Sequence, residues 1–274
     1  VESCNQNAPK RGNDQVCQYD EVCKSVQGSF HQADMLFENN AGTQCVANCL
    51  AALSYNKLKN AKSWTSMDLN RILVTGDELY TFLQRSSSIN DRYLLVEELP
   101  EHFECFGSLF QFRANEPVAS VINAQDGVDY AGFNALPLDA ALQISLSDTD
   151  GCFVCFGGNS MLIGKTENAF YAFDSHSRNS DGMCCVSGKS TRILLPNIDE
   201  VFSHLERLAH SMGYSTAVQC NFTGVLCKIS NIASISGPQE SDDLTLLENS
   251  QIFMNTDEDN DLIFVSQDQL QYKF

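Results

Sequence analysis

Basic residues are scarce in this sequence of 274 residues, which has 17 Lys and Arg against 35 Asp and Glu and a formal net charge of −18 at pH 7. Proteins that bind nucleic acid through its phosphates need a basic surface, so this composition argues against a nucleic-acid partner. Long apolar runs are also lacking. The longest, residues 151–164, is interrupted by Asn159 and Ser160 and is too short to cross a bilayer. We therefore expect neither a nucleic-acid partner nor a membrane span.

The sequence lacks complete motifs for a serine hydrolase, a zinc site and a phosphate-binding loop. The sequence contains no Gly-x-Ser-x-Gly motif, which argues against a serine hydrolase of the nucleophile-elbow type. Cys152 and Cys155 have the spacing of zinc ligands, but they lie in an apolar segment and no second such pair follows. The run Gly164-Lys165-Thr166 matches the end of a phosphate-binding loop, yet Asn159 occupies the position of its first glycine. We therefore expect no metal and no cofactor.

The 12 cysteines also lack the regular spacing of a disulfide framework. Several of them, including Cys49, Cys152 and Cys227, lie inside apolar segments, where a reduced cysteine behaves as a small hydrophobic residue. Disulfides are rare in reducing compartments, so this pattern predicts an intracellular protein of the cytoplasm or nucleus.

The apolar pattern divides the chain into three parts. Residues 1–27 show little periodicity and are predicted to be a leader or flexible extension. Residues 28–230 carry the periodic segments and are predicted to form one folded domain. Residues 231–274 contain nine acidic residues and one lysine, which predicts an acidic C-terminal extension. Its apolar runs at 252–254 and 262–265 leave open whether this extension docks on the core.

Periodicity predicts helices first and an antiparallel sheet second. Apolar residues at helical spacing predict a helix from Cys45 to about Lys57. Two more helices are predicted at 66–85, with an interruption near Gly76, and at 137–147; strands are predicted at 93–96 and 118–122. Three short apolar runs separated by turn residues, at 152–156, 161–163 and 169–173, then predict an antiparallel meander. A strand at 193–195, a helix at 198–212 and one or two strands within 216–229 complete an α+β pattern.

A candidate nucleophile lies at the start of the first long helix. The sequence Asn-Ala-Gly-Thr-Gln-Cys ends at Cys45, and Gly42-Thr43 is predicted to form the turn and cap that precede the helix. A thiol at a helix N-terminus is favoured in its thiolate form by the unsatisfied N–H groups and the helix dipole. Cys45 is thus a candidate nucleophile, although any one of the 12 cysteines could instead be a core thiol.

A candidate base lies at the end of a predicted strand. Asp174 and His176 are two residues apart, so on an extended strand both side chains project from the same face. A carboxylate in that position can hold one ring nitrogen of the imidazole and leave the other for a thiol. The alternative is a solvated Asp and His in a polar turn. The other histidines compete poorly: His204 and His210 are six apart on one helix and do not share a face.

These motifs occur in an order that matches a known family. Gln32 lies thirteen residues before Cys45, which closes the sequence Ala-Gly-Thr-Gln-Cys, and His176 closes the later sequence Phe-Asp-Ser-His. The combination resembles the herpesvirus tegument deubiquitinases, which are papain-like cysteine proteases. The resemblance implies that Cys45 is the nucleophile and His176 the general base and acid. It further implies that Asp174 orients the histidine and that Gln32 donates its amide to the oxyanion.

The resemblance also implies a fold and a reaction. Residues 28–230 would be a papain-like catalytic domain of the α+β class, with an N-terminal helical part carrying the Cys helix packed on a mainly antiparallel sheet carrying the Asp-x-His. The activity implied is that of a thiol-dependent ubiquitinyl hydrolase, which cleaves the isopeptide bond after the C-terminal glycine of ubiquitin through an acyl-enzyme. Ubiquitin or polyubiquitin would be the substrate of a monomeric enzyme. The acidic composition fits, because the ubiquitin tail carries arginine.

One residue departs from the pattern of other deubiquitinases. Many families carry an aromatic residue directly after the catalytic histidine, where it helps to hold the Gly-Gly end of ubiquitin, whereas this sequence has Ser177. Two alternatives therefore stay open. The chain could be a protease for another ubiquitin-like modifier or a polyprotein, or a ubiquitin-binding module without turnover.

Overall fold

A computed structural model describes residues 24–86, 92–123, 130, 132 and 134–230. The predicted leader, apart from residues 24–27, and the predicted acidic extension at 231–274 lie outside the described residues. The first described strand, β1 (Ser25–Gln27), pairs with residues 191–193, so the sheet begins three residues before the boundary placed at residue 28.

The described chain mixes helices with antiparallel strands, which confirms the predicted α+β class. The helices are α1 (Cys45–Leu58), α2 (Ser66–Ser86), α3 (Leu138–Leu146) and α4 (Ile198–Ser211). The further strands are β2 (His102–Cys105), β3 (Ser108–Ala114), β4 (Val118–Ile122), β5 (Gly151–Phe156), β6 (Asn159–Lys165), β7 (Phe170–Arg178), β8 (Lys189–Leu195) and β9 (Val218–Ile229). Short 3-10 helices occur at Met35–Asn40, Ala61–Ser63 and Val96–Glu98. None of the described helices is long and apolar enough to cross a membrane.

The strands form one sheet in the order β1-β8-β7-β6-β5-β9-β3-β2. Every pairing is antiparallel, and the long strand β9 pairs with β5 on one side and with both β4 and β3 on the other. The sheet is covered on both faces, by α1 and α2 on one and by α3 and α4 on the other. Each face of the sheet thus packs into its own hydrophobic core, the α1 core under α1 and α2 and the α4 core under α3 and α4. Residues along β5 alternate between these two cores, because successive side chains on a strand point to opposite faces. Phe153 packs with the α1 core and Val154 with the α4 core, which explains why β5 is apolar without interruption.

Helix α2 is continuous, which corrects the interruption predicted near Gly76. The glycine is needed for packing instead: a Cβ atom at Gly76 would lie 2.0 Å from the Oδ1 atom of Asn48 on α1. The two helices therefore approach each other through this position. Because α1 is buried along most of its length, this contact helps to fix the helix that begins at Cys45.

The strand predicted at 93–96 is wrong. Leu94 and Val96 are buried while Leu95 is exposed, an alternation typical of a strand, but Val96–Glu98 form a 3-10 turn. The carboxylate of Glu98 accepts a hydrogen bond from the Leu95 N–H at 2.7 Å and so closes the turn. The hairpin of β2 and β3 was not predicted, and the one or two strands predicted within 216–229 are the single strand β9.

Candidate active site

Cys45 is the first residue of α1 and is 7% exposed. The loop before it turns at Gly42, whose φ of 84° favours glycine. The predicted cap by Thr43 is wrong, because its hydroxyl donates to the carbonyl of Asn40 at 2.7 Å and the N-cap residue is Gln44. Gln44 in turn donates its amide to Asp77 of α2 at 3.0 Å. The loop is thus held against α2, and the Cys45 thiol is held at the start of α1.

His176 and Asp174 lie near the end of β7 and contact each other directly. Nδ1 of His176 is 2.7 Å from Oδ1 of Asp174, and the backbone N–H of His176 donates to the same oxygen at 2.9 Å. Arg178 donates from Nε to Oδ2 of Asp174 at 2.6 Å. Asp174 is 3% exposed, so the carboxylate is satisfied by protein groups rather than by solvent.

Gln32 is brought to the same place by the loop that precedes α1. Its backbone N–H donates to the carbonyl of Ser175 at 2.8 Å, and its own carbonyl accepts from the N–H of Gly42 at 3.0 Å. The side-chain oxygen accepts from the Ser175 hydroxyl at 2.7 Å and from the Asn48 amide at 3.4 Å. Because Oε1 is occupied in this way, the NH₂ group is the part of the carboxamide positioned to donate.

The Cys45 thiol interacts with the His176 side chain, which joins the two predicted motifs. Burial alone would raise the pKa of the thiol, but the interaction with His176, including the attraction of the imidazolium, brings it below its ordinary value. Burial would likewise lower the pKa of His176, but Asp174 and the contact with Cys45 raise it to about 9. The pair therefore favours thiolate and imidazolium over thiol and imidazole.

Six other buried or partly buried cysteines contrast with Cys45. Burial raises the pKa of all six: Cys49, Cys105, Cys152, Cys155, Cys220 and Cys227. These thiols stay protonated near neutral pH and are poor nucleophiles. Seven cysteines in the described part of the chain have a shifted pKa. Among these seven, Cys45 is the one whose pKa is lowered, which favours the thiolate.

An open cleft of about 910 Å³ runs past Cys45. Its walls come from residues 93–97, from the turn between β5 and β6, and from β9. Tyr93 and Leu95 are more than half exposed there and provide apolar surface, and Glu97 adds a carboxylate. A shallower hollow of about 400 Å³ shares Glu97 and continues past Glu101 and Glu116. The cleft is open to solvent, and Cys45 lies in its wall.

The geometry unites all four residues predicted from the sequence: Cys45, His176, Asp174 and Gln32. Four other residues of the site were not predicted. Ser160 on β6 helps to lower the pKa of Cys45, and Ser175, Asn48 and Arg178 hold Gln32 or Asp174. Ser160 reaches the site only through the fold. Ser175, Asn48 and Arg178 lie in or close to the motifs, but only their contacts in the structure show what they hold.

The described residues contain no cluster of three or more His, Cys, Asp or Glu side chains that could hold a metal ion. Cys152 and Cys155, which have zinc-ligand spacing, both lie on β5. Residues three apart on a strand point to opposite faces, so the two thiols cannot share an ion. Cys152 packs into the α4 core, whereas Cys155 faces the cleft.

Comparison with known proteins assigns the family. The model of the herpesvirus tegument protein N-terminal conserved region matches residues 27–225, which is more than half of the chain. The chain belongs to this tegument family. The match contains Gln32, Cys45, Asp174 and His176, and it confirms the resemblance inferred from the sequence motifs.

A solved structure gives the same fold. The ubiquitin-specific protease of murine cytomegalovirus tegument protein M48, crystallised with a ubiquitin-based suicide substrate, superposes with a TM-score of 0.62 at 18% identity. The superposition covers 78% of this chain and 90% of the viral one. No curated protein sequence matches significantly. The tegument-family chain therefore shares the fold of this viral protease, in agreement with the predicted papain-like architecture.

Proposed function

We propose that this chain is a cysteine protease that removes ubiquitin from its conjugates, a thiol-dependent ubiquitinyl hydrolase. The observation that carries the proposal is a buried thiol, Cys45, that interacts with an imidazole, His176, held by the carboxylate of Asp174 beside an open cleft. The M48 protein of the same fold was captured with a ubiquitin-based suicide substrate, which supports ubiquitin as the substrate.

The proposed reaction is acyl transfer. The Cys45 thiolate attacks the carbonyl carbon of the C-terminal glycine, and the new C–S bond leaves a negative charge on the oxygen. The tetrahedral species collapses, the C–N bond breaks, and His176 gives its proton to the departing lysine amine. Water then attacks the thioester while His176 takes a proton from it. The C–S bond breaks, and ubiquitin leaves with a free carboxylate while Cys45 is regenerated.

Gln32 is proposed to stabilise the oxyanion together with the backbone N–H of Cys45. Its carboxamide is 2% exposed and is oriented by Ser175 and Asn48, so donation to the oxyanion needs no reorganisation. Replacing Gln32 by alanine is expected to lower kcat by about 10²–10³-fold. KM is expected to stay unchanged, because this hydrogen bond forms only in the transition state.

Gln111→Ala is the matched control, because this glutamine lies exposed on β3 and donates to Glu101. Steady-state hydrolysis of a fluorogenic ubiquitin amide measures both variants. A Gln32→Ala enzyme whose kcat stays within about threefold of the wild type would remove Gln32 from the mechanism.

The thiolate–imidazolium pair predicts the pH dependence of the rate. The pKa of Cys45 lies below its ordinary value, so activity is expected to rise on the acid side as the thiolate forms. The pKa of His176 is raised to about 9, so the proton needed by the leaving amine is retained through neutral pH and lost above about 9. We expect kcat/KM to fall on the alkaline side near pH 9. An alkaline fall near pH 6.5, the ordinary value for histidine, would contradict the pair.

The surroundings of the cleft fit a basic chain end. Glu97 lines the cleft, and Glu101 and Glu116 lie in the hollow beside it, where they can attract the arginines of the ubiquitin tail. The nine described cysteines form no disulfide with one another, which fits a reducing intracellular compartment. We infer a monomeric enzyme acting on ubiquitin or polyubiquitin without a cofactor.

Ser177 favours a second candidate within the same chemistry, a protease for another ubiquitin-like modifier. Its hydroxyl donates to the carbonyl of Cys185 at 2.6 Å, so it supports a loop and provides no aromatic surface for a Gly-Gly end. Tyr93, more than half exposed in the cleft, offers an aromatic ring from another segment. Electrophilic probes built on different modifiers distinguish the two candidates.

A further inference from the structure

Arg178 is a buried cation that the proposed mechanism does not use. It closes β7 and is 3% exposed, and its only ion pair among the described residues is with Asp174. The other hydrogen bonds of its guanidinium are longer and go to neutral groups, the carbonyl of Ser177 at 3.4 Å and the sulfur of Met212 at 3.9 Å. A guanidinium does not lose its proton in a protein, so Arg178 places a permanent positive charge beside the carboxylate.

The two oxygens of Asp174 have separate partners. Oδ1 accepts both hydrogen bonds from His176, and Oδ2 accepts the one from Arg178. The carboxylate cannot rotate without losing one of these partners. Arg178 therefore fixes the plane of the group that fixes the imidazole.

We propose that Arg178 is a positioning residue of this active site, which keeps Asp174 ionised and oriented so that His176 stays aligned with Cys45. The expected effect of Arg178 on the rate rests on the proposed function. The contact between Arg178 and Asp174 does not, and it can be tested without substrate.

The local backbone makes this contact possible. On a regular strand, residues four apart are separated by about 13 Å, which is far for a hydrogen bond between their side chains. The pairing of β7 with β8 shifts register between Asp174 and Arg178, which breaks the regular spacing. The irregularity thus lets the guanidinium reach the carboxylate.

The balance of charge explains why a cation is needed here. Burial by itself would raise the pKa of Asp174 and protonate it, and the largest opposing effect is the attraction of Arg178, followed by that of His176. Together they hold the pKa of Asp174 well below its usual range. Without Arg178, only the imidazolium and the hydrogen bonds of His176 would oppose the effect of burial, and the carboxylate would take up a proton at a higher pH.

The neighbouring titratable groups do not replace Arg178. His204 of α4 is buried, its Nδ1 has no hydrogen-bond partner, and burial and the nearby Arg207 lower its pKa to about 4. It is therefore neutral where the site works. The charges of Lys24, Arg178 and Asp174 also affect the pKa of His204. Besides Arg178, the titratable residue that contacts Asp174 directly is His176.

The test replaces Arg178 by methionine, which keeps the apolar stem and removes the charge. We expect kcat to fall about 10- to 100-fold with KM unchanged, because Arg178 does not line the cleft and acts only through alignment. The deficit should grow as pH falls, because protonated Asp174 cannot hold the imidazolium. Arg178→Lys, which keeps the charge, should recover the acid side of the profile, and Arg178→Gln serves if the methionine variant does not fold.

A spectroscopic measurement tests the same contact without turnover. The Nδ1 proton of His176, bonded to Asp174, should give a downfield proton resonance in wild-type protein that Asp174→Asn removes. In Arg178→Met or Arg178→Gln it should shift upfield or broaden. Arg192→Met is the matched control: this buried arginine donates to the carbonyls of Lys24 and Trp64, and its loss should leave the resonance in place.

The outcomes separate the two proposals. An unchanged resonance with a deficit that does not depend on pH would overturn the role of Arg178. A resonance that responds in a protein that does not hydrolyse ubiquitin conjugates would support Arg178 and refute the proposed function.

Discussion

Replacing Cys45 by alanine is expected to abolish the hydrolysis of ubiquitin conjugates, with a loss in kcat on the order of 10⁶-fold. No other described group can take over, because burial raises the pKa of the nearest alternatives on α1 and β5, Cys49 and Cys155. Turnover of a fluorogenic ubiquitin amide at neutral pH measures the effect.

Cys49→Ala is the matched control for this loss. Cys49 lies one turn further along α1, is fully buried and contacts the core rather than the cleft. Its replacement removes a small buried group, so we expect a modest loss of stability, about 1 kcal/mol, and nearly wild-type turnover. Residual activity in folded Cys45→Ala above a hundredth of the wild type would exclude Cys45 as the nucleophile.

Asp174→Asn is expected to have the second largest effect, a fall in kcat of about 10⁴-fold. Asparagine cannot stabilise the imidazolium, so burial lowers the pKa of His176 and the thiolate–imidazolium pair is lost near neutral pH. The alkaline limb of the rate, expected near pH 9 in the wild type, should move to lower pH. The substitution also leaves Arg178 without its anion, which should cost on the order of 3 kcal/mol of stability.

Asp68→Asn separates catalysis from stability. Asp68 is also buried, and it accepts hydrogen bonds from Tyr55 and Lys59, which lower its pKa to about 2 against the effect of burial. This variant should unfold at a lower temperature and keep both the rate and the pH limbs of the wild type. If Asp174→Asn retains the alkaline limb near pH 9, the carboxylate is not what raises the pKa of His176.

Asp174 and His176 each make the stability of the fold depend on pH, and the sign of each effect follows from the direction of its pKa shift. The pKa of Asp174 is depressed in the folded state, so its contribution is present above the ordinary aspartate value and disappears as pH falls through the folded value. The pKa of His176 is raised, so its contribution is complete below 6.5 and is lost as pH rises through about 9. Between these limits the ion pairs of the site stabilise the fold.

The sequence predicts the elements that carry the candidate residues where a motif and its element coincide. Cys45 opens a helix whose apolar spacing is strong, and Asp174 and His176 share one strand, so local patterns place each of them correctly. The bounds of the helix predicted at 66–85, apart from its interruption near Gly76, and the strands of the meander also agree with the structure.

The rest depends on contacts between distant segments. Gln32 was selected by its resemblance to a family motif alone, and only the fold shows that Ser175, 143 residues away, holds its side chain. Arg178 reaches Asp174 because the pairing of β7 with β8 shifts register between them, and the apolar periodicity of the sequence does not predict this shift. The strand predicted at 93–96 is replaced by a 3-10 turn at Val96–Glu98, although Leu94 and Val96 are buried and Leu95 is exposed, as alternate residues of a strand would be.

Reaction with a ubiquitin bearing a C-terminal electrophile, followed by mapping of the modified residue by mass spectrometry, tests the central proposal most directly. We expect one adduct, on Cys45, that is absent in Cys45→Ala and retained in Cys49→Ala. An adduct on another of the 12 cysteines, or folded wild-type protein that forms none, would contradict it.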